Sequence, residues 1–260
     1  MDLGVRSPLL DFFKRGEVAK DVRLLAATGQ FAPRALEQVA LLALLSDDGD
    51  ADVRAAAEAT LKVIPEESLA GFLGRSDVPG GLREFFRARG IEPLPGADAA
   101  DDPLIDADAA SAESGGAEGE GDSPSTTQKL AMMGIAERMK AAMKGTKSER
   151  AVLIRDPNKL VSAAVLSSPK LTDSEVENFA KLANVSEEVL RTIGMNRSWI
   201  KNYGVIAALT RNPKTPLAVS MRFVQRLTER DLKMIALDRN LQEPLKVLVR
   251  KRITEGNERK

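Results

Sequence analysis

Neither cysteine nor histidine occurs among the 260 residues of this chain. Without cysteine there are no disulfides to staple a fold, which fits a reducing compartment. Without either residue, Cys/His zinc sites are excluded, and nucleophilic triads lose their usual base. No GxxxxGK[ST] stretch is present to cradle a phosphate. The longest apolar run, Val39–Leu45, is far shorter than the roughly 20 residues that cross a bilayer. The opening residues MDLGVRSPLLDFFKRGE lack the basic start and long apolar core of a secretory signal. Acidic pairs such as Glu187-Glu188 fall where helices are expected to begin, and the helix dipole accounts for them there. These absences lead to the expectation of a cytoplasmic, non-enzymatic protein with no metal, no cofactor and no membrane span.

What the chain does have is one phrase said twice. Ser186-Glu187-x-x-Leu190-Arg191-x-Ile193-Gly194-Met195-Asn196-Arg197 returns 42 residues later as Thr228-Glu229-x-x-Leu232-Lys233-x-Ile235-Ala236-Leu237-Asp238-Arg239. Ser186 and Thr228 are good N-caps, since their hydroxyls accept a free N–H of the first turn. Val189, Leu190 and Ile193 fall on one helical face, as do Leu232 and Ile235. After Asn196-Arg197 a second helix is expected, capped by Ser198, with a stripe of Trp199, Ile200, Tyr203, Ile206 and Ala207. Asn212-Pro213 ends it, because a residue before proline is pushed out of the helical region. Thr215-Pro216 then opens a third helix with a cap and an N1 proline, and its stripe is Leu217, Met221, Val224 and Leu227. Ser148-Glu149 heads a degenerate third copy of the phrase, 38 residues before Ser186. Ser168-Pro169-Lys170-Leu171 parallels Asn212-Pro213-Lys214-Thr215, 44 residues on. Thr172-x-x-Glu175 is a capping box, and a last helix starts near Pro244. Helix units repeated at this period predict an α-solenoid.

Residues 5–90 read as short helices: one after Ser7-Pro8, then about 18–28, 33–45, 53–64, 66–73 and 81–89. Leu41-Leu42-x-Leu44-Leu45-x-Asp47, followed by Asp52-Val53-Arg54-x-x-Ala57-x-x-x-Leu61-x-x-Ile64, resembles one HEAT repeat. That resemblance implies that Asp52 and Arg54 shape the inter-helix turn and a stacking ladder. Residues 93–127 are Ala, Gly, Ser and acid without an aromatic, too polar to offset the entropy of ordering, which predicts a disordered linker. Residues 128–144 predict one amphipathic helix with Met132, Ile135, Met139 and Met143 on one side, as core or as an adaptable methionine groove. The expectation is an all-α chain of HEAT/armadillo-like segments, 1–92 and 128–260, joined by the acidic linker 93–127. The phrases LIRDPNKLVSAAVLSSPKLT, NRSWIKNY and NPKTP resemble a family of bacterial helical-repeat proteins, over about residues 128–252. That resemblance marks a family and implies no activity.

A net charge of zero hides a segregation. Residues 1–95 hold 12 basic and 15 acidic side chains, 96–127 hold nine acidic and no basic ones, and 128–260 hold 26 basic and 14 acidic. The last segment attracts an acidic partner. Asp156-Pro157-Asn158, Asn196-Arg197 and Asp238-Arg239-Asn240 recur in the copies. They read either as a row of polar groups facing a partner or as side chains bonding turn backbones. Trp199, the sole tryptophan, reads as core or as a surface anchor and shares its helical face with Tyr203 and Ile206. Arg222, Arg226, Arg230 and Lys233 would stack along one stripe if their helices were continuous, but Thr228 interrupts them. The candidate partner-binding residues are Arg155, Asn196, Arg197, Trp199, Lys201, Tyr203, Lys214, Arg222, Arg226, Arg239, Arg250, Lys251 and Arg252. The first functional reading is a protein–protein scaffold or adaptor. The second is salt-sensitive nucleic-acid binding through phosphates, autoinhibited by the acidic linker. HEAT-like DNA glycosylases resemble the chain only in architecture and basicity, and Trp199, Tyr203 and Asp238 would carry that chemistry.

Overall fold

A computed structural model of the chain describes residues 3–5, 7–30, 34–94, 104 and 124–257. Among them the regular structure is sixteen α-helices and two 3-10 turns, with no strand, so the fold is all-α. Contacts divide the chain into two compact units: Met1–Leu153 with Asn158–Lys170, and Ile154–Pro157 with Leu171–Lys260. This division differs from the expected 1–92 and 128–260, because the first helices after residue 127 join those before it. The acidic linker expected over 93–127 lies outside the described residues except at 93, 94, 104 and 124–127, and the last four open a helix.

The first unit contains α1 (Pro8–Lys14), α2 (Lys20–Ala27), α3 (Ala35–Leu45), α4 (Ala51–Val63), α5 (Glu66–Leu73), α6 (Gly80–Arg87), α7 (Pro124–Met132), α8 (Ile135–Lys144), α9 (Lys147–Leu153) and α10 (Lys159–Ser167). Two helices are buried nearly all round, α3 through Val39, Leu41, Leu42 and Leu45, and α10 from Leu160 to Ser167. A helix apolar on every side needs neighbours on every side. Helices α1, α2, α4 and α6 accordingly pack on α3, and α1, α8 and α9 pack on α10. That is why α8–α10 belong to this unit.

Local signals explain the boundaries. Asp50 caps α4 by accepting the Asp52 N–H at 3.0 Å, and Arg54 donates to the Asp48 carbonyl. Arg54 thus bonds the turn, but Asp52 does not shape it: Asp52 lies on the surface and pairs with Lys20 at 2.6 Å. The single helix expected over 128–144 is two, α7 and α8. Gly134 stands at the break, where its N–H donates to Glu137 Oε2 at 2.9 Å and starts a new helix. Met139 and Met143 are core, whereas Met132 is 92% exposed and off the expected stripe. The chain leaves α8 past carbonyls that a helix end orphans, and side chains bond three of those at its close. Ser168 donates to Met143 O at 2.8 Å, Lys170 to Lys144 O at 3.0 Å and the buried Arg150 to Gly145 O at 2.8 Å.

The second unit contains α11 (Asp173–Lys181), α12 (Glu187–Met195), a 3-10 turn (Trp199–Lys201), α13 (Tyr203–Arg211), α14 (Leu217–Phe223), a second 3-10 turn (Val224–Arg226), α15 (Glu229–Leu237) and α16 (Glu243–Asn257). Helices come in threes: α8–α10, α11–α13 and α14–α16, and within each set the first packs on the third. The degenerate copy of the phrase is capped by Thr146, not Ser148. Thr146 forms a box with Glu149, its N–H donating to Oε2 at 2.7 Å. The helix expected from Ser198 is interrupted. Asn202 takes the Gly204 N–H at 2.8 Å and restarts the chain as α13, leaving Trp199 half-buried in a 3-10 turn rather than in the core. In α14 and the following turn the buried side is Ser220, Phe223, Val224 and Leu227, while Leu217 is half-buried and Met221 is exposed.

Candidate functional site

The second unit carries most of the candidate residues, and its turns decide what they can do. At the end of α12, Asn196 Oδ1 accepts the Ser198 N–H at 3.0 Å and the Ser198 hydroxyl at 2.6 Å. At the end of α15, Asp238 Oδ1 accepts the Asn240 N–H at 2.9 Å. Asn212 Oδ1 does the same for the Lys214 N–H at 3.0 Å, and in the first unit Asn158 does it for the Leu160 N–H at 2.9 Å. These side chains offer the backbone a local partner where a helix stops. Asn196 and Asp238 are therefore occupied by their own turns.

Their neighbours are not. Met195 is 67% exposed and Leu237, at the same place in the next copy, 83% exposed. Each lies five residues past the buried Leu190 or Leu232, off the apolar stripe. Two residues on, Arg197 and Arg239 are exposed and have no partner among the described residues. Lys201, Lys214, Arg226 and Arg230 are likewise exposed with side chains that pair with nothing described. The remaining candidates are spoken for or set apart. Arg155 is half-buried. Arg222 donates to the Gly194 carbonyl at the end of α12 and lies over the Phe223 ring. Arg250 pairs with Glu243 at 3.1 Å, Lys251 with Glu255 at 4.0 Å, and Arg252 is half-buried. The run Arg222, Arg226, Arg230 and Lys233 is no continuous stripe, because a 3-10 turn and the Thr228 cap break the helix between them.

Tyr203 is half of a polar cluster that sequence reasoning missed. Its hydroxyl donates to the Asp231 carboxylate, lies 3.1 Å from Thr228 Oγ1 and accepts the Thr228 N–H at 3.0 Å. Arg211 donates to the other oxygen of Asp231. Asp231 is 9% exposed. Burial opposes its ionisation, but hydrogen bonds from Tyr203 and Thr228 and the Arg211 charge outweigh it, so its carboxyl titrates below its ordinary value. The cluster ties α13 to α15. The signal in the sequence was a tyrosine, an arginine and an aspartate at helix ends, which local patterns do not connect. Glu243 is also held below its ordinary range, first by the Lys246 hydrogen bond and then by the Lys246 and Arg250 charges.

Among the described residues no group of three or more Asp, Glu, His or Cys is placed to hold a metal ion, and no helix is long and apolar enough to cross a membrane. Trp199, Tyr203 and Asp238 are not assembled around one acid: Tyr203 serves Asp231, and Asp238 serves its own turn. No protein-family description, curated protein or solved structure matches the chain.

Proposed function

We propose that the chain is a non-enzymatic protein-interaction scaffold or adaptor, built as a HEAT/armadillo-like solenoid whose edge docks an acidic protein partner. The observation that carries this reading is the pair of exposed apolar side chains, Met195 and Leu237, at one place in successive copies, each with an arginine two residues on that has no partner among the described residues. A single apolar side chain in water is ordinary, and it is contiguous apolar area that marks a contact surface; the reading therefore rests on the recurrence of the pair at one repeat position beside cations. The cations beside it, Arg197 and Arg239, favour an acidic partner and steer its approach. Stacking of the three-helix sets would place the two positions one repeat apart along one edge, as in repeat proteins that bind through an extended face.

Affinity capture with the full-length chain tests it. Capture of one protein partner that survives nuclease and moderate salt, and is lost in the double variant Met195→Ser/Leu237→Ser, is the expected result. Capture that the double variant retains, or that nuclease abolishes, overturns it. A second reading, nucleic-acid binding, draws on the six exposed unpaired cations named above. It predicts affinity that falls steeply with salt and is insensitive to the two apolar positions.

A further inference from the structure

We propose that the turn from α12 into α13, residues 195–203, is the anchor of the proposed docking edge, and that it takes an acidic segment of a protein partner built around one large apolar side chain. This rests on the docking reading above and makes its two repeat positions unequal, with Trp199 and Lys201 carrying the difference.

The turn is held in shape by its own bonds. The Asn196 carbonyl accepts the Ile200 N–H at 3.2 Å, and the Ser198 and Trp199 carbonyls accept the Lys201 and Asn202 N–H groups at 3.3 and 3.0 Å. Asn196 Oδ1 holds Ser198, and Asn202 caps α13. A surface fixed in advance loses little freedom on binding. On it Met195 is exposed, Trp199 and Ile200 are half-buried, and Tyr203 is 40% exposed. Four large apolar side chains within nine residues thus keep part of their surface in water. The Tyr203 hydroxyl is spent on Thr228 and Asp231. The indole N–H of Trp199 has no acceptor among the described residues and is not buried. An amphipathic ring with a free donor, fixed at a surface, is the kind of group that interfaces are built around.

The next copy lacks this anchor. Where Trp199, Ile200 and Lys201 stand, the residues 42 places on are Leu241, Gln242 and Glu243. Leu241 is 5% exposed, and Glu243 puts a carboxylate where the first copy has an ammonium. The second corner therefore offers only Leu237 and Arg239. Charge selects the occupant of the first. Residues 189–228 hold seven basic side chains and no acidic one. Arg197 and Lys201, on either side of Trp199, have no partner among the described residues. Glu177, whose carboxylate lies beside Gly204, is paired with Lys181 at 2.7 Å. An acidic segment meets attraction on both sides of the indole, and tryptophan with arginine is the combination that dominates the energetic centre of interfaces. A protein segment also supplies an aliphatic neighbour for Met195 and Ile200, which a phosphate backbone does not.

The probe is a library of random dodecapeptides, displayed and selected on the full-length chain at near-physiological salt. Selected peptides should carry Asp and Glu around a Phe or Leu, bind with Kd below about 100 µM, and change the fluorescence of Trp199, the only tryptophan in the chain. With a labelled peptide followed by anisotropy, Trp199→Ala and Lys201→Glu should each weaken binding about tenfold or more. Arg239→Glu should weaken it by less than about threefold, and Val63→Ser, in the other unit, should leave it unchanged. Lys201 is exposed and pairs with nothing described, so Lys201→Glu decides the matter even where Trp199→Ala loosens the fold. Binding that survives Lys201→Glu, or that falls as far with Arg239→Glu, overturns the anchor and leaves the docking edge standing. No enrichment, or peptides insensitive to Lys201→Glu, Arg239→Glu and Leu237→Ser alike, overturns both. Oligothymidylate that binds more tightly than every selected peptide at the same salt, and is lost in Lys201→Glu, overturns the protein occupant.

Discussion

Replacing Asn212 by alanine probes the turns at their most buried point. Asn212 is 4% exposed. Its amide donates to Ala180 O at 2.8 Å and Leu182 O at 2.9 Å, and its Oδ1 accepts the Lys214 N–H at 3.0 Å. Truncation removes three hydrogen bonds of about 0.5–1.5 kcal/mol each, so a loss of about 3 kcal/mol is expected. The two carbonyls at the end of α11 then face a void instead of a donor. Asn202→Ala is the internal control: it removes one cap bond, to the Gly204 N–H, and should cost about 1 kcal/mol. Trp199, the sole tryptophan, sits in the same unit, so urea unfolding followed by its fluorescence reads the unit that holds both asparagines. The midpoint should fall about three times as far for Asn212→Ala as for Asn202→Ala, at unchanged m. Asn212→Asp should fall further still, since a carboxylate would face two carbonyls. A midpoint for Asn212→Ala no lower than that of Asn202→Ala refutes the claim that this side chain holds α11 to α13.

Three further outcomes are expected. The Asp231 carboxyl is depressed in the folded chain, so its contribution to stability is fully present above the ordinary value of 3.8 and is lost as pH falls through the lower folded value. Acid unfolding read by Trp199 should therefore be shallower for Asp231→Asn over that window, and an unchanged profile contradicts the role given to Tyr203 and Arg211. A Cβ at Gly194 would meet Val219 Cγ1 at 2.5 Å. Overpacking of about 1–3 kcal/mol exceeds the helix-propensity gain of about 1 kcal/mol, so Gly194→Ala should lower the urea midpoint although the next copy carries Ala236. Deleting residues 97–127 removes acidic side chains and no basic ones. If the linker competes for the basic face, deletion tightens binding of an acidic partner measured by titration, and equal affinity rules that competition out.

Helix starts were legible because they depend on few neighbours. Ser186, Thr172 with Glu175, and Thr228 cap the helices that their spacing predicts. Boundaries failed where a side chain redirected the backbone inside an apolar stripe. Asn202 breaks the stripe that runs from Trp199 to Ile206, and the Gly134–Glu137 bond splits the methionine helix. The division into units was hidden for a different reason. Leu160 to Leu166 is a run too apolar for a surface helix, which was readable, but that α1 covers it depends on contacts across some 150 residues of chain. The candidate site was legible only in part. Met195 and Leu237 fall off their stripes by simple counting, and Arg197 and Arg239 follow them. The pairing of Tyr203 and Arg211 with Asp231 is tertiary and leaves no periodic trace.

The proposed docking edge is tested most directly by contact. A photo-crosslinking residue placed at Met195, at Leu237 and, as a control, at Val63 of the other unit, which is 72% exposed, reports what touches each position in the full-length chain. One protein adduct shared by positions 195 and 237, resistant to nuclease and missing at position 63, is the expected result. No adduct at either edge position, an adduct of nucleic acid alone, or equal labelling at Val63 would contradict the assignment of this edge as the protein's working surface.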